Sequence, residues 1–245
     1  HPTYIQEMLQ DKRYSDSDII NAINHLKLEG GKSFSRSKLG SIKNLHNQKP
    51  SGTWNPKKTF NGKDIFLVGP GPSTKKHIAA LNRFIKKNNL IAIALNNDVN
   101  ISEKLINYRV TSHPIRIISD IDVFSKIKVP LIAPLNSIDK RVREKLKNIN
   151  IFNYGIKVVE NKFSFDKTHC ILPNPLVLSY CLAIFSSGRA KRVYISGFDG
   201  YELGDPRKIE VDKVFELFYL SNSQVEVISV TPTLYRIPTK SIYSL

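Results

Sequence analysis

The segment DIFLVGPGPS at residues 64–73 constrains the fold of this chain more than any other. An apolar run ends there in a turn of glycines and prolines, and a helical pattern follows, which predicts a buried strand, a tight turn and a helix start. Gly69 and Gly71 permit close backbone approach, and Pro72 followed by Ser73 suits a capped helix start. Backbone N–H groups of such turns bind phosphate, although a plain glycine turn has the same sequence. The residues expected to bind an anion are Gly69, Pro70, Gly71 and Ser73.

Apolar runs and helical patterns alternate from residue 64 onward. Continuous apolar strands that alternate with helices indicate an α/β, Rossmann-like fold with a mostly parallel sheet covered by helices on both faces. Residues 151–168 show no clear period and are expected to be irregular. Strands are predicted at residues 64–68, 90–95, 108–112, 130–133, 192–196 and 225–230, and helices at residues 74–87, 139–147, 176–186 and 210–219.

The chain divides by composition into three parts. Residues 1–29 are predicted to form a helical appendage, residues 30–63 a basic linker, and residues 64–245 the Rossmann-like domain. The linker carries eight Lys or Arg and no Asp or Glu, within a net charge of +16. Such a segment suits nucleic acid, an anionic membrane surface or an acidic saccharide, or is a solvated surface. Since no nucleic-acid-binding motif is recognisable, we expect no nucleic-acid partner, and we expect Trp54 to pack against the main domain.

Several bulk features indicate a cytoplasmic protein. No run of about 18 apolar residues could span a bilayer, and the polar start HPTYIQEMLQ is not a signal peptide. Because that start lacks Met, we expect an excised or processed piece. Cys170 and Cys181 have no metal or redox spacing and are expected to be buried thiols in a reducing compartment. Peripheral contact with the anionic inner membrane is expected from the basic linker.

Polar residues follow the ends of the predicted strands. In parallel sheets ligands bind outside the carboxyl ends of the strands, so these residues are candidates for a binding site. The histidines are scattered and no D-x-D triplet stands at a strand end, so we expect neither a metal nor a cofactor. The polar strand-end residues are Asn96, Asn97, His113, Asn136, Asp199 and Thr231.

Separated motifs resemble two related groups of enzymes. These motifs are VGPGPS at residues 68–73, LNN at 95–97, SHP at 112–114 and CLAIFSSGRAKRVYISGFDGY at 181–201. Together they resemble the bacterial sialyltransferases that use CMP-sialic acid, and the motility-associated-factor glycosyltransferases that glycosylate flagellin. The resemblance covers residues 64–235. It implies a nucleotide-sugar-binding domain that transfers an acidic keto-sugar, Kdo or a nonulosonic (sialic) acid, from a CMP donor to a glycan or lipid-linked acceptor of a bacterial lipopolysaccharide or capsule.

The resemblance also implies roles for single residues. Gly69, Gly71 and Ser73 match the loop that holds the phosphate and ribose of CMP. Asn96 matches the strand-end asparagine on the donor, and His113 stands where the families have the asparagine of Asn-Pro. The residues that match the second motif are Gly197, Asp199 and Tyr201.

The chain departs from the pattern of these families at three places. Pro70 replaces the asparagine of the loop, and residues 174–176 replace a Thr-Ser-Gly that contacts cytosine and phosphate. The lid that carries the catalytic histidine of the families corresponds to residues 202–208, which contain no histidine and offer Asp205. The set expected to bind the donor is Gly69, Pro70, Gly71, Ser73, Asn96, Asn97, Asn136, Asn174, Gly197 and Tyr201.

Transfer from a CMP-sugar needs a general base for the acceptor hydroxyl and donors for the leaving phosphate. The candidate bases are Asp205, Asp199 and His113. Asp205 could instead cap a helix, Asp199 could instead orient loop amides, and His113 could instead be a packing residue. The candidate partners of the phosphate are Ser73, Asn96 and either Tyr201 or Tyr235, since a tyrosine commonly donates to the leaving phosphate in these families.

The N-terminal segments carry a second resemblance, and the chain also has alternative functions. The segments HPTYIQEML and SDSDIINAINHL resemble the tail of HMG-lyase-like aldolases, which implies fusion to an aldolase-like domain. The alternatives to a glycosyltransferase are a pyrophosphokinase on the same fold, which would use ATP and a metal, and a non-catalytic domain that binds a nucleotide or a glycan.

Overall fold

The computed structural model describes residues 48–98, 100–138 and 140–245, together with residues 15, 17 and 20–22. Most of the predicted appendage therefore lies outside the described residues, as do residues 30–47 of the expected linker. The aldolase resemblance rests mainly on that undescribed part. The described chain is built on a seven-stranded sheet of order β10-β9-β1-β2-β3-β4-β5, in which all neighbouring strands are parallel.

The elements alternate along the chain in the predicted manner. The strands are β1 Asp64–Val68, β2 Ile91–Leu95, β3 Ile106–Val110, β4 Leu131–Ala133, β5 Ile151–Asn153, β6 Gly155–Val158, β7 Ser164–Phe165, β8 His169–Leu172, β9 Arg192–Ser196 and β10 Glu226–Ser229. The helices are α1 Lys57–Phe60, α2 Pro72–Lys76, α3 Ile78–Lys87, α4 Pro114–Ser119, α5 Ile121–Phe124, α6 Lys140–Lys145, α7 Val177–Ser187 and α8 Pro206–Tyr219. Short 3₁₀ turns lie at Glu103–Leu105, Leu135–Ser137 and Ile242–Ser244.

The sheet is covered on both faces, as its apolar strands require. Ile65 and Leu67 of β1 lie in one apolar cluster with α7 and α8, whereas Phe66 and Val68 lie in another with α3. Alternate side chains of one strand thus enter opposite layers of the core. The predicted α/β, Rossmann-like architecture is confirmed. In the described ranges, no helix is both long and apolar enough to cross a membrane.

Residues 151–168, expected to be irregular, contain three strands, so that expectation is wrong. β5 adds to the main sheet, while β6 and β7 flank β8 in a second sheet of order β6-β8-β7. Residues 151–168 show neither a helical nor a strand period, because these strands have two to four residues and several of their side chains are half-buried. Helix α8 begins at Pro206 rather than at residue 210, because Asp205 caps it.

The described part of the expected linker, residues 48–63, packs against the domain. Trp54 meets the rings of Phe60 and Phe152 at centroid distances of 5.8 and 5.0 Å, which confirms the expected packing of Trp54. Gly52 passes so close to the second sheet that a Cβ there would lie 2.2 Å from the carbonyl oxygen of Thr168. Residues 52–60 therefore belong to the packed body of the domain.

We predict that Phe60→Ala lowers the free energy of unfolding by about 3–5 kcal/mol. Phe60 is fully buried and makes edge contacts with Trp54, Tyr108 and Phe185, so its removal leaves a cavity in the main core. Urea denaturation measures the change. Lys58→Ala, an exposed position of the same helix, is the matched control and should stay within about 0.5 kcal/mol of the wild type. Equal midpoints for both variants would show that this segment is not part of the cooperative core.

Candidate functional site

Two turns are joined at the carboxyl edge of the sheet. The Gly69 N–H donates to the Ser196 carbonyl at 2.7 Å, and the Gly71 N–H donates to the Gly197 carbonyl at 2.9 Å. β1 and β9 are paired up to Val68 and Ser196, so these bonds continue their ladder into the β1–α2 and β9–α8 turns. We call this pair of turns the double turn, residues 69–73 with 197–201.

Asp199 completes the double turn through its side chain. The Ser73 N–H donates to Asp199 Oδ2 at 2.9 Å, and the Ser73 hydroxyl donates to Asp199 Oδ1. The carboxylate therefore caps the start of α2 from a turn that is 126 residues away in the chain. Asp199 thus orients a loop amide, that of Ser73, which is the alternative to its role as a base.

The expected amide cradle for phosphate is absent from residues 69–73. Each N–H group of this turn already has an acceptor: Gly69 and Gly71 donate to the carbonyls of Ser196 and Gly197, Ser73 donates to Asp199, and Pro70 and Pro72 have no N–H. The reason is that the turn pairs with the end of β9 and with the turn that follows it. Its glycines serve close packing, since a Cβ on Gly71 would lie 2.6 Å from the Gly197 carbonyl oxygen.

A pocket of about 290 Å³ opens beside the double turn. It lies among the end of β2, the start of α7 and the double turn, and its walls are mostly apolar and aromatic, as is usual for ligand sites. The site residues predicted from sequence that line it are Pro70, Gly71, Asn96, Gly197, Asp199, Tyr201 and Tyr235. The other lining residues are Pro72, Leu95, Leu176, Val177, Leu178, Phe198, Gly200 and Val211.

Helix α7 points its N-terminus at this pocket. Leu176, Val177 and Leu178 form part of the wall, and no side chain caps the helix. Helices α2, α4 and α8 each begin with proline, whereas the first residue of α7 is Val177, which retains its N–H. An uncapped helix start carries unsatisfied N–H groups and the positive end of the helix dipole. Asn174 lies just before the helix and accepts the Leu176 N–H at 3.3 Å.

Two tyrosines and two cations lie together beside the pocket. The Arg207 guanidinium lies 4.2 Å from the centre of the Tyr201 ring, and Lys208 Nζ lies 6.0 Å from that of Tyr235. Burial, with a further contribution from Tyr201, raises the pKa of Tyr235 above its ordinary value. The Tyr235 phenol therefore stays protonated at neutral pH and can donate a hydrogen bond to an anion.

The candidate bases occupy different places. Asp199 lines the pocket. Asp205 caps α8 by accepting the Arg207 N–H at 2.9 Å, and its carboxylate also pairs with the Arg207 guanidinium at 2.6 Å. His113 caps α4, because its Nδ1 accepts the Ile115 N–H at 3.2 Å. The structure thus places Asp205 and His113 as helix caps, and neither lines the pocket.

The asparagines expected to bind the donor are also dispersed. Asn96 lines the pocket in a left-handed conformation, with φ of +50°. The buried Arg109 supports it by donating to the Asn96 carbonyl at 3.1 Å and to the Asp98 carbonyl at 2.7 Å. Asn97 borders a different cavity beside Arg109. The Asn136 amide instead joins the two sheets, because it exchanges hydrogen bonds of 2.8 and 3.0 Å with the backbone of Ile156.

Sequence reasoning missed the start of α7 and Phe198 as parts of the pocket. The signal in the sequence was weak: residues 176–178 are three apolar side chains, without the Ser, Thr, Asp or Pro that usually marks a helix start. Among the described residues, no group of three or more His, Cys, Asp or Glu side chains could hold a metal ion.

The fold and the pocket define a doubly wound α/β domain whose candidate ligand site lies where the strand order reverses, between β9, β1 and β2. No protein-family model matches the sequence, and no curated protein is significantly similar to it. Among solved structures, a MAf glycosyltransferase from Magnetospirillum magneticum AMB-1 has a similar fold, with a TM-score of 0.57 and 12% sequence identity. The match covers 84% of this chain and 38% of that chain, so this chain spans less than two fifths of its neighbour.

We predict that Gly197→Ala is more destabilising than Gly62→Ala. Both glycines have positive φ, +70° and +68°, so alanine costs about 1–2 kcal/mol at either position. Only at Gly197 would the new Cβ also collide with Thr74 Oγ1 and the Gly69 carbonyl, at 2.3 and 2.4 Å, which adds about 1–3 kcal/mol. Urea denaturation of the two variants measures the difference. Equal losses would mean that the double turn is not tightly packed.

Proposed function

We propose that this chain is the donor-binding domain of a glycosyltransferase that uses a CMP-linked acidic keto-sugar, Kdo or a nonulosonic acid. The support is the pocket at the strand-order reversal, the motifs at residues 68–73 and 181–201, and the shared fold of a protein named as a MAf glycosyltransferase. The acceptor in this proposal is a bacterial surface glycan, free or lipid-linked, and the reaction takes place in the cytoplasm or at the inner membrane.

The observation that carries the proposal is the uncapped start of α7 in the wall of the pocket. We assign the CMP phosphate to the N–H groups at Val177 and the next residues of α7, where the helix dipole favours an anion. This assignment replaces the turn at residues 69–73, whose N–H groups are committed. The position corresponds to the one that contacts cytosine and phosphate in the similar families, although this chain has Asn-Pro-Leu there in place of Thr-Ser-Gly.

The remaining lining residues fit the other parts of the donor. The phenols of Tyr201 and Tyr235 are assigned as donors to the departing phosphate, which gains charge as the glycosidic bond breaks. Phe198 supplies an aromatic wall for the base or the ribose.

Asp199 is our candidate for the general base, because of the three predicted bases it is the one that lines the pocket. Each of its oxygens accepts one hydrogen bond from Ser73 and has a second lone pair for an acceptor hydroxyl. A non-catalytic donor-binding domain is the second candidate function. It is favoured by the positions of Asp205 and His113, both of which cap helices.

We expect CMP and CTP to raise the melting temperature of the protein, because a ligand that binds only the folded state stabilises it. ATP with Mg²⁺ is the control and should give no comparable rise. Stabilisation by ATP and Mg²⁺ alone would favour the pyrophosphokinase and overturn the proposal. Release of CMP from CMP-Kdo or CMP-sialic acid, measured by chromatography, separates a transferase from a non-catalytic domain.

Val177→Pro is expected to weaken CMP binding by about tenfold, the effect of one lost charge-assisted hydrogen bond. Proline is well tolerated at the first position of a helix. Leu176, with φ of −61° and ψ of 136°, already has the extended conformation that a following proline requires. The change therefore removes one N–H group with little strain. Val177→Ala keeps that N–H and is the matched control in isothermal titration calorimetry. Equal affinities for CMP in the two variants would contradict the assignment of the phosphate to the start of α7.

A further inference from the structure

A second concave surface lies between α3 and the C-terminal 3₁₀ turn Ile242–Ser244, with a volume of about 380 Å³. We call it the α3 groove. Its floor is apolar, from Ile78, Ala80 and Phe84 of α3. One wall carries Tyr243, which is 71% exposed and whose hydroxyl is 3.0 Å from His77 Nδ1. Since α3 covers the sheet face opposite to α7 and α8, the groove is separate from the pocket beside the double turn, which we call the donor pocket.

The α3 groove is positively charged. Lys76, Arg83 and Lys87 line it, and its lining contains no Asp or Glu. In the part of the chain that the structure describes, none of these three cations has a carboxylate partner. The segment that carries them, residues 72–87, has no acidic residue, and Lys75 and Lys86 add exposed charge beside the groove. By contrast, the cations next to the donor pocket are neutralised, Arg207 by Asp205 and Lys208 by Asp212.

The cations are arranged in a row. Arg83 and Lys87 are four residues apart on α3, so they lie on one helix face about 6 Å from each other. Lys76, the last residue of α2, precedes them in the lining of the same groove. Such a row matches a linear polymer that carries one negative charge on each repeat. The exposed Tyr243 ring offers an aromatic surface with a polar tip to such a polymer.

The groove also begins close to the donor pocket. Pro72, the first residue of α2, lines the pocket, and Lys76, its last, lines the groove. The two residues are one helical turn apart, about 6 Å along the axis. A chain bound in the groove could therefore present one of its ends near the pocket.

We propose that the α3 groove binds an extended acidic glycan, which is the acceptor chain of the transferase. The acceptor role rests on the proposed function, whereas the glycan site does not. A carboxylated glycan suits the groove better than a bilayer, because the surface is concave and its apolar residues form the floor rather than a protruding row. It also suits the groove better than single-stranded nucleic acid, which uses several aromatic platforms for successive bases; here Tyr243 is the single exposed ring of the lining.

The test compares two triple variants of the full chain that remove equal charge. Lys76→Gln/Arg83→Gln/Lys87→Gln changes the groove, and Lys57→Gln/Lys58→Gln/Lys63→Gln changes exposed lysines elsewhere. The probe is a fluorescent oligomer of α2,8-linked sialic acid, followed by anisotropy at low salt. We expect the groove variant to bind about tenfold more weakly, because three exposed charge contacts each contribute about two- to threefold. The control variant should stay within about twofold, and both should keep the CMP-induced rise in melting temperature.

The outcomes distinguish the proposal from its alternatives. Equal weakening in both triple variants would mean non-specific attraction and would overturn the groove as a site. Tighter binding of single-stranded DNA or of phosphatidylserine vesicles than of the oligomer, lost in the groove variant, would overturn the glycan as its ligand. If the oligomer binds through the groove but CMP gives no thermal shift, the glycan site stands and the proposed donor function falls.

Discussion

The hydrogen bonds between the β1–α2 and β9–α8 turns fix the geometry of the candidate site. They extend the pairing of β1 and β9 beyond the sheet, from Val68 and Ser196 to Ser73 and Asp199. Because they use the N–H groups of residues 69–73, the turn acts as a rigid wall and not as an anion cradle. The proposed function therefore assigns the anion to the neighbouring start of α7, which no side chain caps.

The fold could be predicted where strands are buried on both faces. β1, β2 and β9 are continuous apolar runs, and their observed bounds differ from the predicted ones by at most one residue. The second sheet could not be predicted, because β7 has two residues and is defined by its pairing with β8, not by its own sequence. The sequence around Phe60 predicts a linker for a similar reason: its partners, Tyr108 and Phe185, are distant in the chain.

The site could be predicted in part. The rule that ligands bind at the carboxyl ends of parallel strands predicts Asn96 and Asp199 as neighbours, and both line one pocket. The rule does not tell which polar groups are already satisfied, because that depends on contacts such as Ser73 with Asp199, 126 residues apart. Asp205 and His113 each precede a proline at a helix start, a local signal for a cap, and the structure shows both as caps.

The two proposed sites differ in whether their cations are paired, which suits them to different anions. Beside the donor pocket the charges of Arg207 and Lys208 are compensated by carboxylates, so attraction there depends on the α7 dipole and on phenols. These are short-range donors, suited to the single charge of a phosphodiester. In the α3 groove the charges are uncompensated and exposed, so their attraction for a polyanion is longer in range and more sensitive to salt. Helix α2 lies between the two proposed sites, with Pro72 at the pocket and Lys76 at the groove, so an acidic glycan in the groove would not occupy the proposed place of the nucleotide.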